Sequence, residues 1–245
     1  KFKTQVNAKY AFYRTHYVNN DDKLIHVDNL YKQREIYLSS ANVYSILSNW
    51  DVSASYDLQW NKMNADMYGF VYPERFTNLL SVATALRLGK VKLQASGLAT
   101  FINDRVEEGP APKARQILTP AVFASYKPFE KQDFNVRAFY KRIFRMPTFN
   151  DLYYADMGNS KLNPEYVTQY DAGFAYTKTW ENYLFYRFKI QADGYYNKVK
   201  DKIIAYPKGQ QFRWTMLNLG KVEIKGIDVS TETTVNPVKD LFVTL

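Results

Sequence analysis

From Phe2 to Phe12 the even positions carry Phe, Thr, Val, Ala, Tyr and Phe, while the odd ones carry Lys, Gln, Asn, Lys and Ala. From Trp50 to Trp60 the even positions are Trp, Val, Ala, Tyr, Leu and Trp, separated by Asp, Ser, Ser, Asp and Gln. A strand sends successive side chains to opposite faces, so this alternation predicts strands with one apolar and one polar face. Helical spacing would draw from both sets. The same rhythm predicts strands near 2–17, 34–46, 49–60, 78–88, 91–102, 117–127, 134–145, 166–178, 184–198 and 219–235, with another starting at 240. Residues 34–46 are the least regular, interrupted by Ser39-Ser40-Ala41-Asn42. Segment 78–88 could pass for a short helix, but Gly89-Lys90 and the alternation that follows favour a hairpin.

The connections sharpen the picture. Short ones fall near Ser48-Asn49, Gly89-Lys90, 129–133, 179–183 and 236–239, and long ones at 18–33, 61–77, 103–116, 146–165 and 203–218. Short and long alternate throughout, as an up-and-down sheet with tight turns at one end requires, and Greek-key crossovers give no reason for it. The predicted strands also exceed the five or six residues usual in globular sheets. Ten residues from Trp50 to Trp60 span about 33 Å, or roughly 23 Å vertically at a 45° tilt, close to the ~25 Å apolar band of an outer-membrane barrel. The two Trp then fall in its two aromatic girdles. The competing reading is a β-sandwich in which Trp and Tyr fill a core.

Composition narrows the classes. The chain has 245 residues, 46% of them hydrophobic and 17% aromatic, including 21 Tyr. That apolar content excludes disorder. No Cys is present, which excludes a disulfide scaffold, an iron–sulfur centre and a thiolate zinc site without fixing the compartment. No window approaches 18 consecutive apolar residues, so no transmembrane helix is predicted. The formal charge of +9 raises nucleic acid as a partner. The cations scatter, however: Lys1, Lys3 and Lys9 in one strand, Arg137, Lys141 and Arg145 in another, Lys198, Lys200 and Lys202 near the end of a third. In the first and third they follow the polar alternation, which is the pattern of a water-facing barrel interior rather than of a phosphate-binding patch. No nucleic-acid partner is therefore expected. His16 and His26 lie in no catalytic motif, and no enzyme activity, cofactor or metal site is predicted. Asp21, Asp22 and Asp28 in one loop lack the spacing of a calcium loop.

Residues 142–173 read RIFRMPTFNDLYYADMGNSKLNPEYVTQYDAG. This resembles the signature in the barrel of TonB-dependent outer-membrane receptors: Arg145, Pro147, Thr148 and Phe149, then Asp151, Leu152 and Tyr153, then Gly158 and Asn159, then Leu162, Pro164 and Glu165, then Tyr170 and Gly173. Flanking strands agree over roughly 117–235; upstream, only the amphipathic rhythm does. The resemblance implies an all-β, antiparallel up-and-down transmembrane β-barrel, this chain being about half of a 22-stranded one. Residues 1–245 are thus expected to form a partial barrel, with the plug domain and final strands absent. It further implies an outer-membrane protein of a Gram-negative bacterium, in contact with membrane lipid. Its function would be TonB-dependent uptake of a scarce nutrient such as a ferric siderophore, haem or cobalamin, driven by TonB and its inner-membrane motor. A runner-up from another class is a surface adhesin or glycan-binding β protein that spans no membrane.

The signature residues are expected to be architectural. Pro147 removes a ladder donor, Gly158-Asn159 suits a turn with positive φ, Pro164 stiffens the return, and Arg145, Asp151 and Glu165 are placed to pair. Ligand contacts are expected from aromatics in the long connections: Tyr68, Phe70 and Tyr72, then Tyr153 and Tyr154, then Trp214, with Tyr206 and Phe212 nearby. Such rings give large, stiff contact area to an organic ligand.

Overall fold

A computed structural model of the chain describes residues 1–19, 26–109, 112–154, 157–180, 184–208, 213–238 and 241–244. The strands are β1 (Phe2–Asn19), β2 (Val27–Leu47), β3 (Trp50–Ala65), β4 (Glu74–Leu88), β5 (Val91–Arg105), β6 (Arg115–Tyr126), β7 (Asp133–Arg145), β8 (Glu165–Thr179), β9 (Phe185–Lys208), β10 (Arg213–Val238) and β11 (Leu241–Thr244), with one α-helix among the described residues, α1 (Phe149–Tyr153). All strands belong to one sheet in sequence order, each antiparallel to the next. This is the up-and-down meander the alternation predicts, and 78–88 is strand. The strands run on past the predicted limits, to 24 residues in β9 and 26 in β10. In those ends Tyr31, Met63 and Ala65 stand on the polar parity and bury against Phe70 and Phe149, so the alternation fades while the backbone pairing continues. Segments expected as loop, such as 61–65 and 213–218, are therefore strand.

Cross-strand register joins the apolar positions into one face. Trp60 pairs with Phe76, Ala95 with Val122, Val122 with Tyr140, Tyr140 with Tyr170, and Tyr170 with Tyr196. No second sheet covers this face among the described residues. Leu80, Val82, Leu118 and Ile227 on it are exposed, which is costly in water and favourable in hydrocarbon. The sandwich reading is not what the chain forms. The opposite face carries Arg75, Asp104, Thr100 and Thr119, and the described parts of the connection 146–164 lie against this polar face.

That connection contains α1, which periodicity could not foresee because it is only five residues long. Its start is fixed locally. The Thr148 hydroxyl accepts from the Asp151 N–H at 3.1 Å, and the Asp151 carboxylate accepts from the Thr148 N–H at 2.9 Å, a reciprocal cap. Phe149 and Leu152 are its buried residues.

Candidate functional site

The described parts of the 146–164 connection, residues 146–154 and 157–164, lie against the polar face like a strap, fixed on two sides. On the side of β4, Arg75 Nη1 donates to the Pro147 carbonyl at 2.7 Å, while Nε and Nη2 of the same guanidinium donate to the two oxygens of Asp104 at 2.6 and 2.7 Å. The guanidinium also sits 5.1 Å from the centre of the Phe149 ring. On the side of β9 and β10, Asn159 Nδ2 donates to the Met216 carbonyl at 2.9 Å, and Asn163 and Asn218 exchange hydrogen bonds at 2.8 and 3.0 Å. Leu152 and Leu162 bury against Ile203. Glu165 closes the strap: its carboxylate accepts from the Ile203 N–H at 3.0 Å and faces Lys202 at 3.4 Å.

Where the strap meets the long-connection end of β1–β4, aromatic rings gather. Tyr31, Met63, Ala65, Phe70 and Phe149 form a buried cluster, with Tyr17, Met67, Tyr72, Tyr153 and Tyr154 packed around it. Tyr31 stacks on Tyr154 at 4.7 Å, and Phe70 meets Tyr72 edge-on at 5.4 Å. Burial pushes the Tyr153 hydroxyl above the ordinary phenol range, and the Asp104 carboxylate adds to the shift. Burial raises Tyr154 as well, with Tyr31 and Tyr17 contributing.

Beneath the strap is a chamber of about 550 Å³, walled by the polar faces of β2–β7 and roofed by Thr148, Phe149 and Asn150. Gln33, Glu35, Gln59, Asn61, Thr77 and Thr119 line it with donors and acceptors of both kinds. The Thr100 hydroxyl, 1% exposed, lies on this wall and has no hydrogen-bond partner among the described residues. The lining mixes neutral amides and hydroxyls, one carboxylate and one ion-paired guanidinium with Leu79, Leu98, Ile102, Ile143, Met146 and Phe149. Such a set can hold a polar ligand by hydrogen bonds.

The aromatic residues singled out from sequence separate into different roles. Phe70, 1% exposed, is core of the cluster and offers no free ring face. Tyr72, at φ 45°, and the half-buried Tyr153 and Tyr154 form the cluster's wall. Tyr68 is fully exposed at the tip of the 66–73 connection. Trp214 and Tyr206 are strand residues of β10 and β9 rather than loop residues, and neither joins the mouth cluster; Phe212 lies outside the described residues. Arg75, Asp104, Tyr17 and Tyr31 belong to the site and were missed. Tyr17 ends the predicted strand 2–17, whereas the segments of Tyr31, Arg75 and Asp104 read as loop, although Arg75 and Asp104 stand on the polar parity of the strands that extend into those segments.

The signature residues also have visible contacts. Arg145 pairs with Asp151 at 3.1 Å and reaches Glu165 at 3.8 Å. Pro147 and Pro164 are buried where the strap leaves β7 and enters β8. Gly158 does not have the positive φ expected of it; glycine is required because an added Cβ would lie 2.7 Å from the Tyr154 nitrogen and 2.8 Å from the Leu152 carbonyl. Gly173 sits between Arg137 and Asp193 in register, and its bare surface lets the guanidinium cross it to the carboxylate two strands away, at 2.7 Å. His16 pairs with Asp28 at 2.6 Å on β1 and β2, while Asp21 and Asp22 lie outside the described residues. One charge assignment needs correction. Lys198 and Lys200 share the parity of Tyr196, so register places them on the apolar face rather than in the interior.

A single meandering sheet with an exposed apolar face and a strapped polar face is the wall of a transmembrane β-barrel. The chain belongs to the TonB dependent receptor-like β-barrel family, whose profile matches residues 1–242. A stretch of 86 residues is 34% identical to the vitamin B12 transporter BtuB of Vibrio vulnificus, covering 35% of this chain and 13% of that protein. A stretch of 94 residues is 31% identical to the BtuB of Photobacterium profundum, covering 36% of this chain and 14% of that protein. Among solved structures, the copper transporter OprC superposes with a TM-score of 0.71 at 15% identity, over 96% of this chain and 41% of that one. The FrpB iron transporter from Neisseria meningitidis gives 0.70 at 10% identity, over 96% of this chain and 38% of that one. At such identities the superpositions show the fold. This chain spans about two fifths of those transporters.

Proposed function

We propose that residues 1–245 are about half of the barrel of an outer-membrane receptor that takes up a scarce organic or metal–organic nutrient in a TonB-dependent way, with cobalamin the first cargo to test. Family membership supports transport over catalysis, and the two BtuB relatives support cobalamin over the other cargo classes. The observation that carries the reading is the two-layer site: an aromatic mouth above a chamber of about 550 Å³ lined by amides, hydroxyls and apolar side chains. Rings suit the flat, apolar parts of such a cargo, and the amides below suit its polar groups. In the whole receptor, a plug domain and a TonB-engaging segment complete the path to the periplasm.

Binding of cyanocobalamin, haemin and a ferric catecholate to the full-length receptor tests this. One class should bind, and Tyr68→Ala should weaken that binding by about tenfold without changing the melting temperature, because Tyr68 is fully exposed and packs on nothing in the clusters. Failure of all three cargoes would turn the reading toward glycans. Unchanged affinity in the variant would remove Tyr68 from the site.

A further inference from the structure

We propose that the apolar face of β6–β10 holds one phosphate-bearing acyl lipid, with a hydrocarbon chain in a trough and the phosphate on the cations above it. The inference rests on the membrane-spanning fold and not on the cargo. Ala124, Ala138, Ala172 and Gly194 stand side by side across β6–β9. Their small side chains leave a trough of about 850 Å³ on the apolar face. One rung nearer the long connections, Tyr140, Tyr170 and Tyr196 form its wall, with ring centres 5.3 and 6.3 Å apart. Lys225 ends that row on β10.

The next two rungs carry Arg142, Lys198, Lys200 and Lys221, with Glu223 as their single carboxylate. Glu223 is held by Lys221 at 2.6 Å. Arg142 lies 5.6 Å from the Tyr166 ring centre and Lys198 lies 5.3 Å from that of Tyr196, so the rings hold both cations at the upper edge of the aromatic row. Lys200 and Lys225 have no ion pair or hydrogen bond among the described residues. Five cations against one carboxylate at the edge of hydrocarbon call for an anion. Long connections mark the outer surface of such barrels, so the anion faces the outer leaflet. Arg142 stands two rungs, about 13 Å along the strand, from the alanine row, so a lipid whose phosphate meets Arg142 lays the upper part of an acyl chain in the trough.

The other half of the sheet lacks this combination. At the same level on β3–β5, Lys62 is paired with Glu107 at 2.9 Å and Arg105 lies over Phe76. Two rungs below stand Leu38, Leu58, Asn78 and Phe101, larger side chains where β6–β9 carry three alanines and a glycine.

Native mass spectrometry of the full-length receptor in non-ionic detergent tests the site, with dipalmitoyl phosphatidic acid, dipalmitoyl phosphatidylcholine and inorganic phosphate as probes. One phosphatidic acid should be retained at least tenfold over phosphatidylcholine, and inorganic phosphate should not displace it. R142Q, K198Q and K225Q should each lower retention by roughly fivefold. Ala138→Leu, which fills the trough, should lower retention of both lipids. If Ala138→Leu fails to fold, Ala172→Val reads the same loss. Equal retention of the two lipids, indifference to the glutamine variants, or displacement by inorganic phosphate alone would each overturn the proposal.

Discussion

Arg75 makes three kinds of contact at once: both oxygens of Asp104, the carbonyl of Pro147 and the face of Phe149. Only a guanidinium has the planar fork for the first two, so lysine is not equivalent. Asp104 is 8% exposed and depends on this partner. Arg75→Met should therefore destabilise the receptor by about 3–5 kcal/mol, the cost of leaving a buried charge uncompensated, and Arg75→Lys should recover only part of it. Urea unfolding in detergent gives the loss, and hydrogen exchange of the 148–154 amides should show the strap loosening first. An Arg75→Met variant of wild-type stability with unchanged exchange would count against the latch. None of this was legible in the sequence. Arg75 falls in segment 61–77, which reads as a long connection, whereas Pro147 and Gly158, whose constraints are local, could be marked as architectural without their partners being known.

At the scale of the element, the strands were legible because each carries its own evidence. Period-two alternation needs no knowledge of the neighbour, and the tight turns at Ser48-Asn49 and Gly89-Lys90 separate β2 from β3 and β4 from β5 as read. The upper ends of β2, β3 and β10 were lost, since there polar residues stand on both faces. The parity of Lys198 was misjudged for the same reason: near the end of a strand a lysine is tolerated on either face. Ala54 lies mid-strand on the apolar face, in register with Asn42 and Val82. Ala54→Arg should cost about 2–4 kcal/mol when the receptor folds into vesicles, because the charge enters hydrocarbon. Near-neutrality would argue against lipid exposure of this face. The same substitution at Ser55, on the water-facing side, is the matched control.

At the scale of the whole molecule, the aromatic mouth and the strap form one unit, and this unit titrates. Tyr153 and Tyr154 are held neutral above the ordinary phenol value of 10.0. A raised phenol pKa means that the unfolded chain ionises first. The stability from these two groups is thus complete below about pH 10 and is lost as pH rises through their folded-state values. Ultraviolet titration should show two late-ionising tyrosines, absent from the Tyr153→Phe, Tyr154→Phe double variant. Exchange of the strap amides should accelerate over the same range. Two tyrosines that ionise with the exposed ones would contradict the buried mouth. This coupling of connection to sheet could not be read in advance, since the contacts of Pro147 with Arg75 and of Asn159 with Met216 join residues far apart in the chain.

The strap also acts as a bowstring. Eleven strands hydrogen-bonded only to their neighbours would be free to flatten or curl, yet a chord runs from β4 to β10 across the open side of the arc. Any force that widens the arc is carried by Arg75 at one end and Asn159 at the other. Opening the arc between β4 and β10 therefore loads these two contacts before any strand pair has to part.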